Sequence, residues 1–135
     1  MPETYVLDSF ALLAYFHAEP GSQRIEDLLR QASRGEIALL LSVVNYGEIL
    51  YQRERRGGIP AVQRTVAVVD NLPVRVVDVG RDLAFTAAHF KARHPIAYAD
   101  AFAAALAAQE PATVVTGDQE FAALEGEIQI EWLAS

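Results

Sequence analysis

Residues 98–118 read YADAFAAALAAQEPATVVTGD, and their order decides the fold. Tyr98 to Gln109 is an alanine-rich helical run, and residues 112–116, ATVVT, are a short strand rich in β-branched side chains. Ten residues of helix descend about 15 Å, and five residues of strand climb back about 16 Å. The chain thus returns to the level at which the helix began. Asp118, in the turn Thr116-Gly117-Asp118, is brought near Asp100 at the helix start.

The same alternation runs outward from this stretch. TYVLD (4–8) reads as a strand, and Ser9 to Glu19 as a helix with Leu12, Leu13 and Phe16 on one face. A second helix runs from Gly21 to about Gly35, turning Ile25, Leu28, Leu29 and Ala32 inward, and IALLL (37–41) is the second strand. Ser42 is a good N-cap for a helix that reaches Gly57-Gly58. Pro60 restarts a helix to Asn71, and Pro73 ends it. VRVVDV (74–79) is a third strand. A helix over 81–93 stops before His94-Pro95. Gly117-Asp118 opens a short helix to about Glu125, and IQIEWL (128–133) is a fifth strand. Short apolar strands alternating with helices predict a three-layer α/β/α sandwich around a mainly parallel five-stranded sheet, in a single domain over 1–135. In such sheets functional groups gather beyond the carboxyl ends of the strands.

Composition narrows the chemistry. With 52% hydrophobic and 21% charged residues the 135-residue chain is not disordered. It has no cysteine, so disulfides, thiolate metal sites and cysteine nucleophiles are excluded. The net charge is −7, from 11 Lys+Arg against 18 Asp+Glu, the wrong sign for holding nucleic acid by charge alone. No apolar run reaches the roughly 20 residues of a membrane span. The start, MPETYVLDSF, lacks a basic region, so a cytoplasmic protein without a signal peptide is expected. His89 and His94 fall on different helix faces and His17 is isolated, which argues against a histidine metal site. No Gly-rich nucleotide loop and no G-x-S-x-G elbow around Ser9 is present.

Four carboxylates are placed at one edge. Asp8 ends the first strand, Asp118 follows the fourth, Asp100 opens its helix, and Glu48 lies about one and a half turns into the helix after the second strand. Side chains tilt toward a helix N-terminus, which lifts Glu48 toward the same edge. Glu48 in SVVNYGEILY and Asp100 in AYADAFAAALA are lone charges in segments that read as core, and neither segment carries Lys or Arg. Burying an unpaired carboxylate costs several kcal/mol, on the order of a folding domain's net stability. Such a group needs a cation beside it or a proton on it, and an all-oxygen set suits Mg²⁺ or Mn²⁺. Taken singly, Asp8 or Ser9 reads equally as a cap of the first helix, Asp118 as a cap of the last, and Asp100 as an acid favoured by the helix dipole.

The succession LDSFALL, VNYGEIL, YADAFAAALA and VVTGDQEFAAL, spread over essentially the whole chain, resembles the PIN-domain ribonucleases, and among them VapC-type toxins of toxin–antitoxin pairs. The resemblance implies a Mg²⁺- or Mn²⁺-dependent endoribonuclease with Asp8, Glu48, Asp100 and Asp118 as its catalytic, metal-binding acids, Asp8 and Asp100 being the most direct ligands. It places Thr116 as a hydroxyl beside the site. Asn45, three residues before Glu48, shares its helix face and supports it, with Ser9 a further supporting group. Arg53, Arg55 and Arg56, one to two turns beyond Glu48, are candidates for an RNA-facing rim, or an ordinary exposed helix end. Glu120 reads two ways: the resemblance allows an acid of the site near this position, and a solvated surface residue is the favoured reading. The resemblance also implies an RNA substrate, a homodimer, and an antitoxin seated in an apolar groove near the site; residues 9–19 and 42–52, rich in Leu, Tyr and Ala, read equally as the lining of such a groove and as ordinary core. Two alternatives stand beside it: a PIN-fold RNA-processing nuclease that is not a toxin, and a non-catalytic binding module.

Overall fold

The computed structural model describes residues 3–134; residues 1, 2 and 135 of the expected 1–135 domain lie outside the described residues. Five strands, β1 (Glu3–Leu7), β2 (Ile37–Ser42), β3 (Arg75–Val77), β4 (Thr113–Thr116) and β5 (Gln129–Trp132), form one sheet in the order β3-β2-β1-β4-β5. Every pairing is parallel, where a mainly parallel sheet was expected. The helices are α1 (Ser9–Phe16), α2 (Ser22–Ser33), α3 (Val43–Asp70), α4 (Arg81–Arg93) and α5 (Tyr98–Gln109), with a short 3₁₀ helix at Gln119–Leu124.

Alternation along the strands builds two cores. Val6, Leu40 and Val114 point to one face, where they pack with Leu83 and Phe90 of α4, the buried alanines of α5 and Phe121 of the 3₁₀ helix. Leu7, Leu39, Leu41 and Val115 point to the other, against Leu12 of α1, Ile25 and Leu28 of α2 and Ile49 of α3. Both faces of the sheet are covered, as a parallel sheet requires. Every residue of α5 from Asp100 to Ala107 is buried. Alanine suits a helix enclosed on all sides, because small side chains let its backbone approach the sheet and α4 closely. Asp100 is the exception in this run, a charge placed in the most enclosed helix of the fold.

The element boundaries expected from sequence hold within a few residues, with three departures. α1 ends at Phe16 instead of Glu19. Pro20 disfavours helical geometry at Glu19, and Ala18 turns into the left-handed region at φ 51°. The third strand shrinks from 74–79 to Arg75–Val77, since it is an edge strand bonded only to β2. The last short helix is 3₁₀. The expected break at Gly57-Gly58 is real: α3 bends at Gly58, whose φ of 72° and ψ of −170° favour glycine, and Pro60 resumes the helix. No described helix is long and apolar enough to cross a membrane.

β1 is the central strand. The chain leaves it first toward β2, and later sections return on its other side as β4. The carboxyl ends of β1 and β4 therefore flank the point where strand order reverses, which is where open α/β sheets hold their ligands.

Candidate metal centre

Asp8 follows β1 directly and is 1% exposed. Both of its oxygens are engaged: Oδ1 accepts from the Ala11 amide at 2.9 Å, capping α1, and Oδ2 accepts from the Thr116 hydroxyl. Capping and site membership, alternatives in the sequence, coexist here because a carboxylate has two oxygens. Thr116, fully buried at the end of β4, in turn accepts from the Asp118 amide at 3.0 Å. Its hydroxyl thus ties β1 to the turn after β4. That turn runs through Gly117, where a Cβ would fall 2.3 Å from the Phe10 ring. The ring of Phe10, two residues after Asp8, thus packs directly on the Gly117 backbone, and a side chain at 117 would have to displace it.

Asp118 Oδ1 accepts from the Glu120 amide at 3.0 Å, which turns Glu120 back toward α5. Glu120 is exposed, but it is not merely solvated: its Oε1 accepts from the Ala97 amide at 2.9 Å. Ala97 is the N-cap residue of α5, with no side-chain cap of its own. Carboxylate oxygens of Asp100, Asp118 and Glu120 all lie within 4.8 Å of one another. Of the two readings open for Glu120, this geometry favours the acid near the site, although the residue is exposed. The sequence signal was the two-residue step from Asp118, a spacing at which an Asx turn folds the chain back.

Asp100 is 6% exposed, and its Oδ2 is buried without any hydrogen-bond partner. None of Asp8, Glu48, Asp100, Asp118 and Glu120 forms an ion pair among the described residues. Burial pushes the Asp100 carboxyl up to about 8, with the charges of Asp118, Asp8, Glu120 and Glu48 adding to the shift. Burial likewise raises Asp8 to about 7; the Thr116 and Ala11 hydrogen bonds oppose it, and the charges of Asp118 and Glu48 add to it. Glu48 is half-buried on α3. It belongs to the same electrostatic cluster, although neither it nor Asp8 joins the mutual 4.8 Å set of the other three.

Asn45 does more than share a helix face with Glu48. It is fully buried, and its Nδ2 donates to Ser9 Oγ at 3.2 Å and to the Ala99 carbonyl at 3.1 Å. Its Oδ1 accepts from Ser42 Oγ at 2.6 Å, and its amide donates to the same hydroxyl at 3.0 Å. Ser9 Oγ donates back to the Asn45 carbonyl at 3.3 Å. One amide side chain thus locks α1, α3 and α5 together at the residue before Asp100. A polar network satisfied in this way holds a single geometry.

The arginines expected at the rim separate. Arg53 is half-buried, donates to Thr65 Oγ1 at 3.1 Å across the α3 bend, and lies over the Phe16 ring at 5.3 Å. Arg55 is exposed and lies over Tyr51, and Arg56 is exposed beside His17. Arg53 is a brace, and the other two remain available. The histidines stand apart from the acids: His17 pairs with Glu19, and His94 with Glu127.

The donor set fits a hard divalent cation. Oxygens bound to one Mg²⁺ sit about 3–4 Å apart, given bonds of about 2.1 Å, and the three carboxylates here, within 4.8 Å of one another, are close enough to close on one ion by small side-chain movements. The unpartnered oxygen of Asp100 is the one buried carboxylate atom that lacks a donor among the described residues, and a cation satisfies it where no side chain does.

Solved structures share this fold over nearly the full chain. VapBC2 from Rickettsia felis, bound to a DNA fragment from their promoter, superposes with a TM-score of 0.76 at 16% identity, covering 97% of this chain and 99% of that one. DNA-bound VapBC from Salmonella typhimurium gives 0.70 at 23% identity over 97% and 98%. VapC20 of Mycobacterium tuberculosis, a sarcin–ricin loop cleaving toxin, gives 0.68 at 22% identity over 90% and 94%. No curated protein matches. The PIN domain family model matches residues 5–127, a span that runs from β1 through the 3₁₀ helix and contains all five acids, and the chain belongs to that family.

Proposed function

We propose that the protein is a Mg²⁺- or Mn²⁺-dependent endoribonuclease and the toxin of a toxin–antitoxin pair. The observation that carries the nuclease reading is the buried Asp100 carboxylate, with one oxygen unpartnered, within ligand reach of Asp118 and Glu120 and with no basic group beside it. The toxin assignment is supported by full-length likeness to VapBC complexes and to a toxin that cleaves the sarcin–ricin loop.

Asp100, Asp118 and Glu120 would hold the ion, with Asp8 and Glu48 completing the negative field around it. When bound, a divalent ion supplies neutralisation of the phosphate charge and a more acidic water. The chain's own groups do the rest. Thr116 and the Ala11 amide fix the Asp8 carboxylate. Asn45 fixes the start of α5, which carries Asp100, against α3, which carries Glu48. Glu48 is left to orient the attacking water and take its proton. Water adds to phosphorus as the bond to the 3′ oxygen breaks, leaving a 5′-phosphate and a 3′-hydroxyl. Arg55 and Arg56, exposed and without a carboxylate partner among the described residues, are the rim groups that meet the backbone of the polyanion. A cytoplasmic homodimer silenced by a cognate antitoxin completes the reading.

The test is incubation of the purified, antitoxin-free chain with total RNA in Mg²⁺ or Mn²⁺, then in chelator. Expected is internal cleavage that chelator abolishes and readdition of metal restores. Equal cleavage in chelator overturns the metal-dependent mechanism. No cleavage with either metal favours a binding module instead. Cleavage that a neighbouring-gene product does not inhibit favours an RNA-processing nuclease over a toxin.

A further inference from the structure

We infer that Tyr98 is a stacking platform for an unpaired nucleobase flanking the cut phosphate; this rests on the nuclease reading above. Tyr98 is the first residue of α5 and is 51% exposed, two residues from Asp100. Half of the ring is open to solvent at the start of the helix that carries Asp100, so a flat face is free for a flat partner. The ring is fixed in place. It packs edge-on against Phe102, one turn on, with centroids 4.9 Å apart, and Phe102 is itself buried. The backbone before it is clamped twice, by Lys91 Nζ donating to the Ile96 carbonyl at 2.6 Å and by the Ala97 amide donating to Glu120. A preorganised ring loses little entropy when a base lands on it.

Its position suits a base and not the phosphate. Residues two apart on a helix point to opposite sides, about 10 Å apart across the helix. At the first turn, side chains also lean past the helix end. Tyr98 and Asp100 therefore flank the opening of α5, the acid on the side of the reacting phosphate and the ring on the side of the next nucleotide. Stacking on exposed aromatic side chains needs an unpaired base, since bases inside a duplex offer no free face. The alternative occupant, a second copy of the chain, is an outcome the test separates by sedimentation.

The test uses Tyr98→Ala and Tyr98→Phe, each in wild type and in an Asp100→Asn background that binds RNA without cutting it. The probes are a short fluorescent single-stranded RNA that wild type cleaves, and a series of it carrying one abasic nucleotide at each position in turn. Loss of the ring should weaken binding of the intact RNA about 5- to 100-fold and raise KM more than it lowers kcat, with Phe retaining binding. At one abasic position next to the cut, Tyr98→Ala should cause no further loss. Three results would overturn the inference: unchanged binding in Tyr98→Ala, an equal loss at every abasic position, or a loss explained by a changed oligomeric state in sedimentation. If the unmodified chain neither binds nor cuts RNA, the nuclease reading itself fails and takes this inference with it; if it cuts RNA regardless of residue 98, only this inference falls.

Discussion

Asp100 and Glu127 carry the same chemical group and meet opposite fates. Glu127, in the turn before β5, is gripped by Arg93 at 2.7 Å and by His94, and the hydrogen bond from Arg93 holds its carboxyl below the usual range. Asp100, in the first turn of a buried helix, has no basic neighbour, and burial drives its carboxyl up to about 8. The first is a surface brace that joins α4 to the approach to β5. The second is a buried carboxyl with no internal cation, which without metal takes a proton instead of keeping its charge. The contrast teaches that an acid is informative when its burial lacks an internal partner, not when it is merely acidic or near other acids.

Removing that buried carboxyl should have the largest effect. Asp100→Asn should lower RNA cleavage more than about 100-fold, while raising the melting temperature of the metal-free protein at pH 8. The rise follows from deleting a buried like charge among carboxylates, at about 4 °C per kcal/mol for a domain of this size. Retained cleavage with a lowered melting temperature would erase the contrast with Glu127.

The second effect is pH dependence in chelator. Asp8 and Asp100 sit at about 7 and about 8 in the fold against an ordinary 3.8, so the folded state holds protons that the unfolded chain has released. Stability is fully present below about pH 4 and is lost as pH rises through 7 and 8. Denaturant melts in chelator should therefore show a fold weaker at pH 8.5 than at pH 5, by on the order of a few kcal/mol. Added Mn²⁺ should recover most of that loss at pH 8.5 and little at pH 5. A metal-free fold that strengthens with pH would reverse the sign and contradict the burial of unpaired acids.

Smaller changes sharpen the comparison. Asn45→Ala leaves Ser42, Ser9 and the Ala99 carbonyl without their shared partner. It should cost about 1–3 kcal/mol in denaturant melts and lower cleavage roughly 10- to 100-fold, since α5 is no longer pinned where Asp100 begins. Glu127→Gln should do least: cleavage unchanged, and a shift in melting that fades in high salt because the group is exposed and screened.

Much of the site was legible for a simple reason. Asp8, Glu48, Asp100 and Asp118 interrupt apolar runs, and strand and helix rises return the last two to one level. α4 and α5 match their expected ranges, 81–93 and 98–109, because proline, glycine and clear apolar periodicity bound them. What escaped depends on contacts between distant elements. Glu120 is chemically indistinguishable from a surface acid until the Ala97 amide, 23 residues earlier, is seen to meet it. Arg53 reads as one of three equivalent arginines until the bend at Gly58 brings Thr65 back to it, 12 residues on. Asn45 was legible as a neighbour of Glu48, but not as the joint between α1, α3 and α5, since that needs the order in which strands return to the sheet. Period and spacing report on single elements, and crossovers set the rest.

The most direct measurement is the anomalous signal of Mn²⁺ in crystals grown near pH 8. Expected is one peak or an adjacent pair within coordination distance of Asp100, Asp118 and Glu120, with Asp100 Oδ2 bonded to the ion. A site without Mn²⁺ at saturating concentration, with the Asp100 oxygen instead turned onto a protein donor, would contradict the claim that this buried carboxylate is kept for a cation.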